Sequence, residues 1–544
     1  MNNSMNSVEN TSSPKNGVSN HHPWPFVWLT GLILAWAVDF LFWNQRVGLS
    51  FPIWVALAIA GLLFTAFREK QRLPLASYGL ALLSLALSIT PFLRSEPFSA
   101  VFCSLGALTL LGLLAATLVH GHWVHYRIGD FLLAGLRLLA ATLVRAGQEL
   151  VRKPDLASRP KKGTFWEEFR QRGLPILRGL ILAIPILAVL GTLLAAADPV
   201  FARLLKNLLS AFNIERLPEY LFRLTYILIF TYGFTGVLLS AIHPEPPEER
   251  PNPHQPWMMR FLGATETWII LGSVVLLFGV FVVLQIRYLF GGQANINETG
   301  FTYSEYARRG FFELVWVAVL SLGLYTGLST VTVRKSRSQE LAFTILTVVL
   351  LSLVLVILAS ALQRLVLYEN AYGFTRLRTY THLFIPWLGL LLVATLVLQA
   401  TGQRGRLGLA ILIFLTGFSL TFTIVNVDAL IARLNLQRAR AGQELDAAHL
   451  LTLSNDALPV LVTAYQDPSL PAADRDRIGA VLTCRKLQPA YSADWRSTRL
   501  SEMRASRLLS SLDLTPYQVK NLDSSPFVVL GAEEFHCFQE ILDE

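Results

Sequence analysis

The chain has 544 residues, of which 53% are hydrophobic and only 15% charged, with a formal net charge of +9. Soluble domains carry about 25% charged residues, so this composition excludes an ordinary globular protein. Nucleic acid is excluded as a partner too, because the surplus Lys and Arg gather in alternate short links between long apolar stretches, the pattern set by a lipid bilayer.

Residues 1–22 are rich in Asn and Ser with almost no apolar side chains, which predicts a disordered tail. A first block, 23–119, holds four apolar stretches near Phe26–Trp43, Phe51–Phe67, Leu73–Phe92 and Phe98–Leu118. A bilayer core about 30 Å thick needs about 20 helical residues to cross, so each is read as a membrane span. Ala35-Trp36-Ala37 fits a signal-peptidase pattern, but the apolar run continues through Phe40-Leu41-Phe42-Trp43 and reads as a retained anchor.

Residues 120–173 form a basic segment. Leu132, Leu136, Leu139 and Leu143 recur at helical spacing among Arg127, Arg137 and Arg145, which predicts a helix lying in the membrane interface. The basic 152–172 loop that follows, with Arg152, Lys153, Arg159, Lys161, Lys162, Arg170 and Arg172, would face anionic lipid. His120, His122 and His125 sit at offsets that place them on different helix faces, so no metal site is expected.

The main membrane domain, 174–427, reads as about seven spans near Leu174–Ala197, Tyr220–Ile242, Thr265–Phe290, Gly310–Val333, Leu341–Leu367, His382–Ala400 and Leu407–Val427. The link Pro244–Pro256 holds six prolines and reads as an extended spacer. Gly323 and Gly327 form a GxxxG that predicts close packing of its helix against a neighbour, with a dimer interface as the alternative. No internal repeat is visible.

Residues 428–544 turn polar, with 12 Lys and Arg against 16 Asp and Glu, a net charge of −4. Helical spacing over Leu445–Leu461, Asp474–Leu487 and Trp495–Leu509 predicts a small helical soluble domain. Of the three cysteines, Cys103 falls within a span, and Cys484 and Cys537 fall in this domain. Free thiols are the favoured reading, since sequence alone brings no two of them to bonding distance. The fold class is therefore all-α: a polytopic α-helical integral membrane protein of about 11 transmembrane helices with a small C-terminal helical domain. Arg68, Lys70, Arg72, the 152–172 loop, Arg334, Lys335, Arg337, Arg404 and Arg406 mark the cytoplasmic side. That assignment puts the N-terminus inside and the C-terminal domain outside.

Ionisable residues inside spans are costly and need partners. Asp39, Asp198, Arg223, Arg287, Glu313, Arg364 and Glu369 all fall at the expected outer ends. Arg287 and Arg364 run against the positive-inside bias, so pairing with Glu313 or Glu369 is expected. Two outer links extend this set to a candidate polar cluster of Arg287, Glu305, Arg308, Arg309, Glu313, Arg364, Glu369, Arg376 and Arg378. Thr302 with Glu305 has the form of a capping box leading into the next span. An interfacial belt of aromatic and basic residues is the alternative to a specific site.

The stretch from Arg287 to Leu314, the segment Tyr368–Arg378, Asp198-Pro199-Val200-Phe201 and the exit Asn426-Val427-Asp428, followed by Leu451–Pro459, resemble a family. It is the bacterial multi-pass membrane family known as domain of unknown function 4173, with its relative 4153. The resemblance covers roughly 179–459. It implies a bacterial inner-membrane location and no established activity, so no catalytic residue is carried over. Neither a cofactor nor a metal is expected, and no HExxH, GxSxG or dinucleotide fingerprint is present. Three functions remain open: a membrane binder or transporter using the outer cluster, a signalling or assembly protein reporting through its outer domain, and an envelope transferase using Asp198 or Glu369. The ligand or protein partner is not legible.

Overall fold

The computed structural model describes residues 24–151, 179, 183, 187, 190–191, 193–203, 217–243, 260–290, 310–488, 494–522, 525–530 and 533–537. The tail 1–22, the basic loop 152–172, most of the expected span Leu174–Ala197, the proline-rich link and Thr302, Glu305, Arg308 and Arg309 lie outside the described residues.

Ten helices among the described residues are long and apolar enough to cross a membrane. Uninterrupted Leu, Ile, Val and Ala runs satisfy every backbone group within the segment, which hydrocarbon demands. The first four spans are α1 (Trp24–Phe42), α2 (Ser50–Arg68), α3 (Leu75–Ser88) continued by the short α4 (Thr90–Leu93), and α5 (Pro97–Thr117). After α6 (Ile128–Val151) come α7 (Leu217–Ile242), α8 (Ala264–Phe290), α9 (Phe311–Val331), α10 (Arg337–Tyr372), α11 (Arg376–Ala400) and α12 (Leu407–Ile424). The chain is an all-α polytopic membrane protein.

Helix α6 is not among the ten. It packs on α5 and α7, with Leu138 beside Gly112 and Thr142 against Gly236. Its Leu132, Leu136, Leu139 and Leu143 are exposed. At α9, a Cβ on Gly323 or Gly327 would meet nothing within 4 Å. The close packing expected of this GxxxG is therefore absent among the described residues, where α9 turns Phe311, Leu314, Ala318 and Tyr325 inward instead.

The C-terminal domain comprises α13 (Val427–Arg440), α14 (Ala447–Thr452), α15 (Leu458–Tyr465), α16 (Ala472–Leu487) and α17 (Leu500–Ser510). A three-stranded antiparallel meander follows, β1 (Val519–Leu522), β2 (Ser525–Leu530) and β3 (Glu533–His536), with Val528 opposite both Val519 and Phe535. Cys484 and Cys537 form a disulfide across 53 residues, which corrects the reading of free thiols. The meander returns the chain to α16 and brings the two Cα atoms to 5.0 Å, a separation sequence spacing does not encode. Cys103 is the free cysteine, buried in α5.

Two apolar cores organise the molecule. The first joins α1–α5, the end of α7 and α12, and runs without a break into the C-terminal domain as far as Cys484 and Cys537. The second belongs to α8–α11 and the start of α12. Helix α11 is the seam, turning Ile385 and Leu388 into the second core while Tyr380 and Trp387 pack on the first. The domain sits over one face of the membrane region, touching the α1–α2 link, the α4–α5 link, the α10–α11 link and the end of α12. The opposite face carries the start of α1, the α2–α3 link, and the α9–α10 and α11–α12 links.

Candidate functional site

The links under the C-terminal domain share one design: a buried carboxylate from one element binds backbone or guanidinium groups of another. Glu96, 2% exposed, caps α5 by accepting from the Phe98 and Ser99 amides, each at 2.7 Å. Tyr380 of α11 donates to the same carboxylate at 2.6 Å. Asp456, from the turn before α15, accepts from the Ser95 and Glu96 amides at 2.7 and 2.9 Å. Burial pushes its carboxyl above the ordinary value, against the downward pull of those amides, Ser454 and Arg94.

Asp428, fully buried in the first turn of α13, forms a bidentate pair with Arg376 at 2.9 and 2.7 Å. It also accepts from the Ser454 amide at 2.6 Å. Burial alone would raise its carboxyl, but Arg376 and Ser454 outweigh it and hold the group below the usual range. Nearby, Asn435 clamps both backbone groups of Phe374 at 2.9 Å. Gly373 has φ +81°, a conformation that favours glycine, and a Cβ there would stand 2.5 Å from Arg438 Nη1 and displace that side chain. At Gly48 a Cβ would stand 2.7 Å from the carbonyl oxygens of Ser497 and Thr498.

One step into the second core, Glu369 near the end of α10 is 1% exposed, and its Oε2 lies 2.8 Å from His382 Nδ1. Its Oε1 has no hydrogen-bond partner among the described residues, while the His382 side chain is 42% exposed. Arg378 lies 3.9 Å over the Tyr368 ring and donates to the Gly373 carbonyl at 2.6 Å. At the other edge, Arg223 and Tyr226 of α7 converge on Asp39 of α1, and Trp43 donates to Glu219 at 2.9 Å.

The candidate residues thus divide. Glu369, Arg376 and Arg378 come together around the α10–α11 link. Arg364 stands beside Gly310, its Nη1 3.0 Å from where a Cβ would be. Glu313 is exposed in the first turn of α9, with no ion pair among the described residues. The side chain of Arg287, and all of Glu305, Arg308 and Arg309, lie outside the described residues. Glu369 takes a histidine where an arginine was expected, and Arg376 takes Asp428. Sequence reasoning missed His382, Asp428, Asp456 and Glu96. The Glu96-Pro97 and Asn426-Val427-Asp428 helix starts were the local signals available.

A cleft of about 420 Å³ opens in the C-terminal domain, lined by Glu444, Asp446, Arg477, Leu530 and Phe535 among others. Among the described residues no three His, Cys, Asp or Glu side chains gather as a metal set.

A family model, Domain of unknown function (DUF4153), matches residues 81–464. The chain belongs to that family. It is the second of the two that the sequence blocks resemble, and the match extends further toward the N-terminus than those blocks, taking in the later part of α3, α4 and α5. It includes Glu96, Glu369, Arg376, His382, Asp428 and Asp456 and stops short of the disulfide and the meander. No curated protein and no solved structure matches the chain.

Proposed function

We propose that this multi-pass membrane protein resides in the bacterial plasma membrane and acts in signalling or assembly, with the pose of its C-terminal domain as the transmitted quantity. The observation that carries this reading is the buried seat itself. Asp428 with Arg376, and Asp456 with the Ser95 and Glu96 amides, fasten the domain to two separate links of the membrane region. Charges that sit paired in protein fit a mechanical joint better than a water-filled route.

Two independent features support an extracytoplasmic domain. The disulfide requires an oxidising compartment, and Arg68, Lys70, Arg72, Arg334, Lys335, Arg337, Arg404 and Arg406 crowd the opposite face. Helix α5 ends on that basic face, while α7 begins under the domain, where Glu219 meets Trp43. With α6 lying across rather than through, the chain changes face between Thr117 and Leu217, the interval of the expected span Leu174–Ala197. This reading carries eleven crossings and a cytoplasmic N-terminus. The same reading gives the basic composition of 152–172 an anionic leaflet as its partner.

A transport-like or ligand-binding role is the second reading, favoured by the Glu369–His382 pair, since a buried carboxylate steering an accessible histidine is a proton acceptor in waiting. The transferase reading gains nothing from Asp198, which is exposed and spends Oδ1 on the Val200 amide. One experiment separates the first two. Deleting Leu445–Glu544 should abolish complementation of a strain lacking the gene while leaving solute permeability of proteoliposomes unchanged. Flux that survives the deletion and is lost in His382→Gln would establish the second reading instead.

A further inference from the structure

On the face away from the domain, two arginines meet on one carboxylate with a third arginine close by. A parallel bridge between Leu262 and Thr332, with Val333 N donating to Leu262 O at 2.8 Å, draws the segment before α8 onto the α9–α10 link. This places Arg260 in the field of Arg334. Arg334 contacts Glu340 at 3.1 Å, lies 4.5 Å over the Phe343 ring, and donates to the Ser329 carbonyl at 3.1 Å. From the α11–α12 turn, Arg404 also pairs with Glu340 and donates to Gln399 Oε1 at 2.7 Å and Thr344 Oγ1 at 3.0 Å. Tyr325 closes the knot with a 2.8 Å bond to the same Gln399 oxygen.

The charge does not balance. Two guanidiniums share one glutamate, with Arg260 adding a third positive charge to the field of Arg334, and that glutamate is itself 44% exposed and therefore partly screened. Arg334 is only 9% exposed, and its Nη1 has no hydrogen-bond partner among the described residues. A buried guanidinium without its full set of acceptors is costly. Consistent with this, burial, and after it the Arg404 and Arg260 charges, drive the Arg334 pKa below its ordinary value against the opposing pull of Glu340. The knot stands at the ends of α9, α10 and α11, at the depth of lipid headgroups, and Phe261 beside Arg260 is 74% exposed.

We propose that the Arg260, Arg334 and Arg404 knot is a binding site for an anionic phospholipid, its phosphodiester supplying the missing negative charge and Phe261 lying along the acyl chains. Guanidinium groups suit this ligand because they are weakly hydrated and form paired bonds to phosphate oxygens. The site lies apart from the domain seat and holds whichever reading of function is correct.

The test uses the full-length protein in mixed phosphatidylglycerol and phosphatidylcholine nanodiscs, followed by native mass spectrometry of retained lipid. The wild type should keep phosphatidylglycerol preferentially. Arg334→Gln with Arg404→Gln should weaken that preference about thirtyfold, at about fivefold per basic residue lost near the surface. Lys70→Gln with Arg72→Gln, on the same face outside the knot, should change it far less. Glu340→Gln removes the competing carboxylate and should strengthen retention, a gain that misfolding cannot imitate. Equal retention of both lipids, or no gain in Glu340→Gln, would overturn the proposal. Displacement of phosphatidylglycerol by millimolar inorganic phosphate would overturn it in favour of a free-phosphate site.

Discussion

The two apolar cores differ in what they are attached to. The first passes from lipid into the C-terminal domain without interruption, so Leu114 in a span and Leu461 in the domain belong to one packed body. The second stays within the membrane, and α8–α11 reach the domain through polar contacts at Asn370–Arg376. Apolar packing is non-directional and holds two parts together over a range of small shifts, whereas a bidentate ion pair or an amide clamp fixes one geometry. The domain is thus carried by one half of the membrane region, which also clamps it through Asp456 at Ser95 and Glu96, and aligned by the other through Asp428 and Asn435.

The largest lesion should fall on the carrying half. Cys484→Ser releases a loop of 53 residues, and chain entropy puts the loss at about 4 kcal/mol. Hydrogen exchange should accelerate across 472–537 and leave 341–366 of α10 unchanged. Equal acceleration in both would mean that the two cores are one cooperative unit. Next comes the alignment itself. Asp428→Asn leaves Arg376 without its partner, and breaking a buried pair costs about 3 kcal/mol. The expected readout is new protease cleavage near 441–446 and at the α10–α11 link, with the inter-core helices still protected; unchanged cleavage would reduce Asp428 to a helix cap.

The smallest effect is one of pH, and its sign distinguishes two carboxylates in one seat. Asp428, lowered on folding, contributes stability above the ordinary carboxyl pKa of about 3.9, lost as pH falls through its folded value. Asp456, raised on folding, contributes stability below that same ordinary value, lost as pH rises through its folded value. Asp456→Asn should therefore flatten the decline in melting temperature between mildly acidic and neutral pH by a few degrees. A steeper decline in the variant would place the responsible group elsewhere, Glu502 being the nearest candidate because burial raises it too.

Ten spans were legible because a bilayer writes its thickness into the chain as unbroken apolar length, a local property. Partners were not, because they are set by distant elements. Asp428 and Arg376 lie 52 positions apart, and Asp456 reaches Ser95 across 361. His382 looked like the polar lip of a span, and only the α10–α11 turn brings it over Glu369. Gly323 and Gly327 carried the right spacing for close packing, but which face of α9 turns inward depends on Phe311, Leu314 and Tyr325 finding α10. The β-meander was hidden for a similar reason, since its strands are four to six residues long and mix Lys, Asn and Ser with Val.

Helix α10 runs 36 residues, about 54 Å at 1.5 Å per residue, and so overshoots a hydrocarbon core of about 30 Å. Its first turn holds Glu340 within the arginine knot, and its last holds Glu369 and the Gly373 bend against α13. Both ends of this single strut are gripped by charge. A lean of about 5° at the lipid-facing foot moves the head by about 5 Å, comparable to one helical turn. Headgroup composition on one side of the bilayer therefore has a lever arm to a folded domain on the other.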